Sequence, residues 1–258
     1  MRPAKRQGHV GAWLMICFLL LPITIVFPIS VTDQDYLALP VHHLSLQWYA
    51  NLFTSPQWVS SIGQSLLIAT ISTTIAVVAG TLCAIGCWRH GGKLSEAIRV
   101  LMLVPLIVPT IVYALGLYRL WVKLQLLDTY TGIIIAHAVT AIPYVIIIIS
   151  TALAGFDQRL EQAARNLGAN LRQMLWMVLI PNIIPAVVSS AIFAFIHSWD
   201  EAVIVLFIAG RGLFTLPRRM CDGINDKLDP TMAAVAAVLI VLTAALLLAD
   251  LLLKRRKA

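Results

Sequence analysis

Asp200 and Glu201 are adjacent carboxylates inside an otherwise apolar stretch, residues 181–209. An aspartate at the centre of a bilayer costs about 2.5–3.5 kcal/mol on insertion scales, so an acid there is a functional candidate by default. His197 precedes the pair by three and four positions, and Phe193 and Ser190 continue the same side of a helix one turn at a time. With 181–209 read as one helix, the acids lie about nine residues before its outer end, roughly 13 Å at 1.5 Å per residue. Carboxylates in a confined aqueous path attract an organic cation through weakly screened Coulomb forces. The Phe193 ring can add a cation–π contact. Two other chemistries use the same residues. Glu201 can pair with His197, or with a cation of a neighbouring helix, and lock packing. Alternatively His197, Asp200 and Glu201 can serve as the acid–base groups of an intramembrane enzyme, although no nucleophile or metal cluster accompanies them. Two adjacent acids are hard to explain by one local partner, which favours the path.

A second constellation lies in the polar segment GFDQRLEQAARNLGANLRQMLWMVLIP, residues 155–181. Asp157 is a suitable N-cap, and Leu160, Ala163, Ala164 and Leu167 fall on one helical face. Gly168 can take the positive φ that ends such a helix. A further amphipathic stretch leads to Pro181, which suits the start of the next helix. A short helix with small residues on one face lets another protein approach its backbone closely.

The elements that must hold these residues are membrane helices. The 258 residues are 60% hydrophobic and 12% charged, with a mean hydropathy of +0.87. A soluble domain carries about 25% charged and about 45–50% apolar residues, so the excess has to meet lipid. Soluble enzymes, disulfide modules, coiled coils and disordered chains are excluded. A spanning helix needs about 20 apolar residues. Six stretches qualify: 10–31, 62–88, 98–121, 131–155, 181–209 and 231–253. Residues 1–61 therefore form a first helix with an outer loop, 62–253 a five-helix core containing the polar loop 156–180, and 254–258 a basic tail. The first stretch is longer than a signal-peptide core and lacks an A-x-A site, so it reads as a retained helix. Pro22, Pro28, Pro105, Pro109, Pro143 and Pro185 kink their helices. The Pro105/Pro109 pair is expected to break the third helix beside a cavity.

Six spans place both ends on one side. Arg2, Lys5 and Arg6 lead in, and Lys254, Arg255, Arg256 and Lys257 close the chain. With both ends cytoplasmic, 13 of the 19 Lys and Arg lie inside and 6 outside. Arg211, Arg218, Arg219 and Lys227 run against the bias in the last outer loop, partly offset by Asp222, Asp226 and Asp229. The formal charge of +7 thus reads as cytoplasmic anchoring in lipid, and no nucleic-acid partner is expected. Cys17, Cys83, Cys87 and Cys221 make neither a disulfide framework nor a metal site, and His42 and His43 lack a third ligand. His137 reads as hydrogen-bonded structure, and Asp250 as the partner of Lys254 one turn on. No GxxxxGK[ST] loop is present.

The loop resembles the conserved cytoplasmic loop of ABC-importer permeases, EAA-x-x-x-G with a proline 13 residues after the glycine. Gln162, Ala163, Ala164, Gly168 and Pro181 match it, with Gln162 at the glutamate position and Glu161 one place earlier. The chain narrows further to permeases of the spermidine/putrescine type. LSLQWYANLFTSPQW, AHAVTAIPYVII and the run from SWDEAVIVLFIAG through TLPRRM to LDPTMAAVA are similar to that family. The resemblance implies an all-α polytopic membrane protein of six transmembrane helices with the type I ABC-importer permease fold, in a bacterial inner membrane. It implies a coupling helix, carried by Glu161, Gln162, Ala163, Ala164, Gly168 and Ala169, that seats in an ATPase subunit. ATP and Mg would be bound by that separate ATP-binding subunit dimer, so this chain is expected to be a transporter subunit, with no cofactor of its own. A second, paralogous permease and a soluble substrate-binding protein complete the implied assembly. The substrate implied is a small cationic amine. An aminophosphonate, an opine-like compound or thiamine would leave the fold unchanged and weaken the carboxylate argument. A secondary transporter would leave the loop unexplained.

Overall fold

The computed structural model describes residues 3–210, 212–226 and 229–255, with side chains for 13–210, 212–223 and 229–252. The expectations resting on Arg2, Arg211, Lys227, Arg256 and Lys257 therefore lie outside the described residues, as do the side chains of Lys5, Arg6, Asp226, Lys254 and Arg255. The described chain is helical: α1 (Pro3–Ser30), α2 (Gln47–Thr54), α3 (Pro56–His90), α4 (Gly92–Ile107), α5 (Thr110–Leu124), α6 (Tyr130–Ala154), α7 (Gln158–Asn166), α8 (Leu171–Met174), α9 (Ile180–Asp200), α10 (Val203–Ile208), α11 (Leu216–Asp226) and α12 (Thr231–Arg255). Among the described residues, five helical segments are long and apolar enough to cross a membrane, and a bent pair makes a sixth.

Two compact units divide the chain. The first comprises residues 1–60 and 219–244. In it, α1 keeps Pro22 and Pro28 inside the helix and exposes most of its apolar side chains, as lipid allows. Its C-terminal end is tied by Ser30 Oγ to Tyr49 Oη at 2.8 Å and by Trp48 Nε1–H donating to the Thr32 carbonyl at 3.0 Å. Asn51 donates to Thr231 Oγ1 at the start of α12, at 2.8 Å. The loop after α1 folds around Asp33, whose carboxylate accepts the backbone N–H groups of Val41 and His42.

The second unit, residues 61–218 and 245–258, carries both predicted constellations. α6 is its central helix: Ala141, Val145, Ile149 and Leu153 pack with Ala76, Ala84 and Ile85 of α3 and with Ile183 and Ala194 of α9. A Cβ on Gly80 would meet Val145 Cγ1 at 2.8 Å, so glycine there lets α3 and α6 approach closely. A second cluster joins Ile68, Trp121, Ile133, Ala136, Ile204 and Ile208.

Three boundaries differ from expectation. The third stretch is two helices, α4 and α5, bent by 103° at Val108–Pro109, which is the break expected of the proline pair. The fifth does not start at Pro181: helix runs from Leu171, where Asn170 and Gln173 form a reciprocal capping box. Residues Leu175–Leu179 form a π-helical turn just before the proline, with the Ile180 N–H reaching back to the Leu175 carbonyl. Pro181 donates no hydrogen bond and its ring crowds the carbonyl four residues back, and the wider turn absorbs both defects. The polar loop is correspondingly shorter than 156–180. The fifth helix also stops early, at Asp200, and Glu201 is extended. The acids thus lie at a helix end and not within a continuous span. The reason is local competition for backbone donors: the Glu201 carboxylate accepts the Ile204 N–H of α10 at 3.1 Å, starting a new helix instead of continuing the old one.

Candidate functional site

Phe193, His197, Asp200 and Glu201 line one cavity of about 300 Å³, together with Tyr144 and Ile196. Four of the five residues expected along the polar stripe are therefore together. Ser190 is the exception, being fully buried with its hydroxyl donating to the Val187 carbonyl. The alternative Glu201–His197 pair does not form. His197 Nε2 instead meets Thr140 Oγ1 at 3.0 Å, and its ring lies 4.9 Å from that of Tyr144. A smaller cavity of about 80 Å³ shares Tyr144, His197 and Glu201 with the first and is otherwise walled by the α4–α5 break, through Pro105, Leu106, Val108 and Thr110, and by Tyr113 and Thr140.

The hydrogen bonds behind this wall admit one assignment that satisfies every contact. Ser72 Oγ donates to the Ile68 carbonyl at 2.7 Å, so it accepts from Ser198 Oγ at 2.9 Å. Ser198 must then accept from His137 Nδ1–H, also at 2.9 Å. His137 is fully buried, as the reading of it as structure requires, and its Nε2 is left as an acceptor with no partner among the described residues. Likewise Thr140 Oγ1 donates to the His137 carbonyl at 3.1 Å, so it accepts from His197 Nε2–H. These bonds fix the end of α9, and with it the acids, against α3 and α6. Asp250 accepts a hydrogen bond from Ser189 of α9, and its expected pairing with Lys254 lies outside the described side chains.

The second constellation folds as its residues predict at the helix itself. Asp157 caps α7 by accepting the Arg159 N–H at 2.9 Å. Gly168 has φ +85°, and the Gly168 N–H to Arg165 and Ala169 N–H to Ala164 bonds, 2.9 and 3.0 Å, close a Schellman turn. Gln162 and Ala163 are exposed, Ala164 and Ala169 half-buried. Ala164 packs against the α3–α6–α9 core. Glu161 turns inward: Arg165 Nη2 lies 2.6 Å from its Oε1, and Arg89 Nη1, at the end of α3, 3.5 Å. A polar groove of about 380 Å³ follows, lined by Trp88, Arg89, Gln158, Glu161, Gln162 and Arg165.

Sequence reasoning missed Tyr144 and Thr140 at the cavity and Trp88 and Arg89 at the groove. Tyr144 and Thr140 sit inside a segment already notable for its sequence, and Arg89 was counted only for its charge; nothing local signals where their side chains meet.

Residues 76–258 match the family described as binding-protein-dependent transport system inner membrane component. The spermidine/putrescine transport system permease protein PotC of Haemophilus influenzae is 29% identical over 244 residues, covering 95% of each chain. The putrescine transport system permease protein PotI of Escherichia coli is 30% identical over 203 residues, 76% of this chain and 72% of that protein. In fold, the chain is similar to a subunit of a bacterial alginate ABC transporter in complex with an alginate pentasaccharide-bound periplasmic protein. The TM-score is 0.69, with 14% identity and 98% and 96% of the two chains covered. The family match, the helical membrane architecture and the similarity to type I importer permeases agree: this chain belongs to the family of inner-membrane permease subunits of binding-protein-dependent ABC importers.

Proposed function

We propose that this permease passes a small organic polycation of the spermidine/putrescine class, with Asp200, Glu201, His197 and Phe193 lining its path. One observation carries the reading: two carboxylates and the aromatic rings of Phe193 and Tyr144 share a cavity that, among the described residues, no Lys or Arg lines. Such a wall attracts a cation and repels an anion. The names of the PotC and PotI relatives support the same class.

On this reading α7 is the coupling helix. Exposed Gln162 and Ala163, with the Gly168–Ala169 turn, meet the ATP-binding subunit, while Glu161 and Ala164 hold the helix to its own core. A dimer of that subunit binds ATP and Mg, a paralogous permease supplies the second coupling helix, and a soluble binding protein delivers substrate. Both termini are cytoplasmic, following the cation bias. Closure of the ATPases moves the α7 helices and reopens the path outward. The test is uptake by the reconstituted complex: Asp200→Asn with Glu201→Gln lowers 1,4-diaminobutane uptake by at least about tenfold while assembly persists. Uptake at the normal rate removes both residues from the path.

A further inference from the structure

We propose that the smaller cavity is a subsite for one primary ammonium group, held by His197 Nδ1, Glu201 and main-chain carbonyls freed at the α4–α5 break. The inference rests on the amine reading and adds to it where one end of the substrate sits and what selects it. The inventory of polar groups carries the argument. Pro109 has no N–H, so the Pro105 carbonyl has lost its helical donor. The carbonyl of Leu106 lies in the last turn of α4, and its expected donor, Thr110, opens a helix bent away by 103°. Both residues line the cavity. Thr140 takes the Nε2–H of His197, which leaves Nδ1 of the neutral ring as a bare acceptor. One Glu201 oxygen caps Ile204, and the carboxyl group lines the cavity.

Donors are fewer: Tyr113 already donates to the Ala136 carbonyl at 3.2 Å and Thr140 to the His137 carbonyl, and the Thr110 and Tyr144 hydroxyls, which can donate, can equally accept. Among the described residues, no Lys or Arg lines the space. A cavity of about 80 Å³ rich in acceptors suits a compact cation with several N–H donors. A primary ammonium has three; a quaternary ammonium has none and is bulkier. The larger cavity shares Tyr144, His197 and Glu201, so an alkyl chain leaving the subsite runs between Tyr144 and Phe193 towards Asp200. A diamine can thus meet one carboxylate at each end.

The test uses the complete transporter in proteoliposomes, with 1,4-diaminobutane as substrate and its bis(trimethylammonium) analogue as competitor. The wild type should discriminate against the quaternary analogue by about tenfold or more, the scale of one charge-assisted hydrogen bond. Thr140→Val frees the His197 ring and should narrow that ratio; Thr140→Ser, which keeps the hydroxyl, should restore it. A purely structural role for Thr140 would change total activity and leave the ratio alone. If the wild type imports 1,4-diaminobutane but both variants discriminate as it does, the subsite is overturned and the amine reading stands. If it ignores both amines and imports methylphosphonate, an anion without an ammonium group, the amine reading falls and the subsite with it.

Discussion

Arg89 joins the membrane core to α7, and removing it should loosen the mechanical link without destroying either part. Its Nη1 lies 3.5 Å from Glu161 Oε1, with side chains 21% and 16% exposed. A fully exposed pair would contribute about 0–1 kcal/mol, and a hydrogen bond to a charged group about 1.5–3 kcal/mol. At 3.5 Å and partial burial, about 1–2 kcal/mol is the appropriate range, or a factor of roughly 5–30 in the equilibrium between α7 seated and unseated. Arg165 is 57% exposed and pairs with the same oxygen along the helix, worth only about 0.3–0.5 kcal/mol. In a reconstituted complex, Arg89→Ala should therefore lower substrate transported per ATP hydrolysed, by up to roughly 5–30-fold, while basal ATP hydrolysis continues. Arg165→Ala should lower it less than about threefold. Parallel measurement of uptake and phosphate release gives the ratio. An unchanged ratio in Arg89→Ala, with the complex intact, would refute the claim that this pair carries force into the membrane.

Two further outcomes follow from other parts of the molecule. A Cβ on Gly132 would lie 2.2 Å from the Leu126 carbonyl and 2.9 Å from Trp121 Nε1, so Gly132→Ala should destabilise the α5–α6 corner by about 1–3 kcal/mol, read as a lower unfolding midpoint in detergent. Gly116→Ala, inside α5 with open space around it, should instead raise the midpoint slightly. In the loop after α1, the Val41 N–H above all holds the Asp33 carboxyl down at about 2, from an ordinary value of 3.8. A depressed folded value stabilises the loop above the unfolded value, and that contribution is lost as pH falls from about 4 through about 2. Loop proteolysis should be flat from pH 7 to 5 and rise only below about 4, with Asp33→Asn susceptible throughout; equal susceptibility of wild type and variant at pH 7 would contradict this.

Much of α7 and its closing turn was legible because their signals are local. Asp157 caps within two residues, Gly168 supplies a positive φ that most residues avoid, and the alanines fall at helical spacing. The cavity was legible only as a set of names. His197, Asp200, Glu201 and Phe193 do converge, although the expectation of one continuous helix was wrong. Nothing in the run Trp199–Val203 marks a helix end, since it holds neither glycine nor proline.

The sequence alone determined that this chain lives in lipid, that it carries a short capped helix between two apolar stretches, and that two adjacent acids interrupt an apolar run. Each follows from composition or from residues within a turn of one another. Tertiary structure decided what those residues face. The Ser72–Ser198–His137 chain joins three helices, Thr140 orients His197 from α6, and Arg89 reaches Glu161 across 72 positions. Such partners are chosen by packing, because a buried hydrogen-bonding group takes whichever neighbour the fold brings within about 3 Å, and sequence distance has no bearing on that.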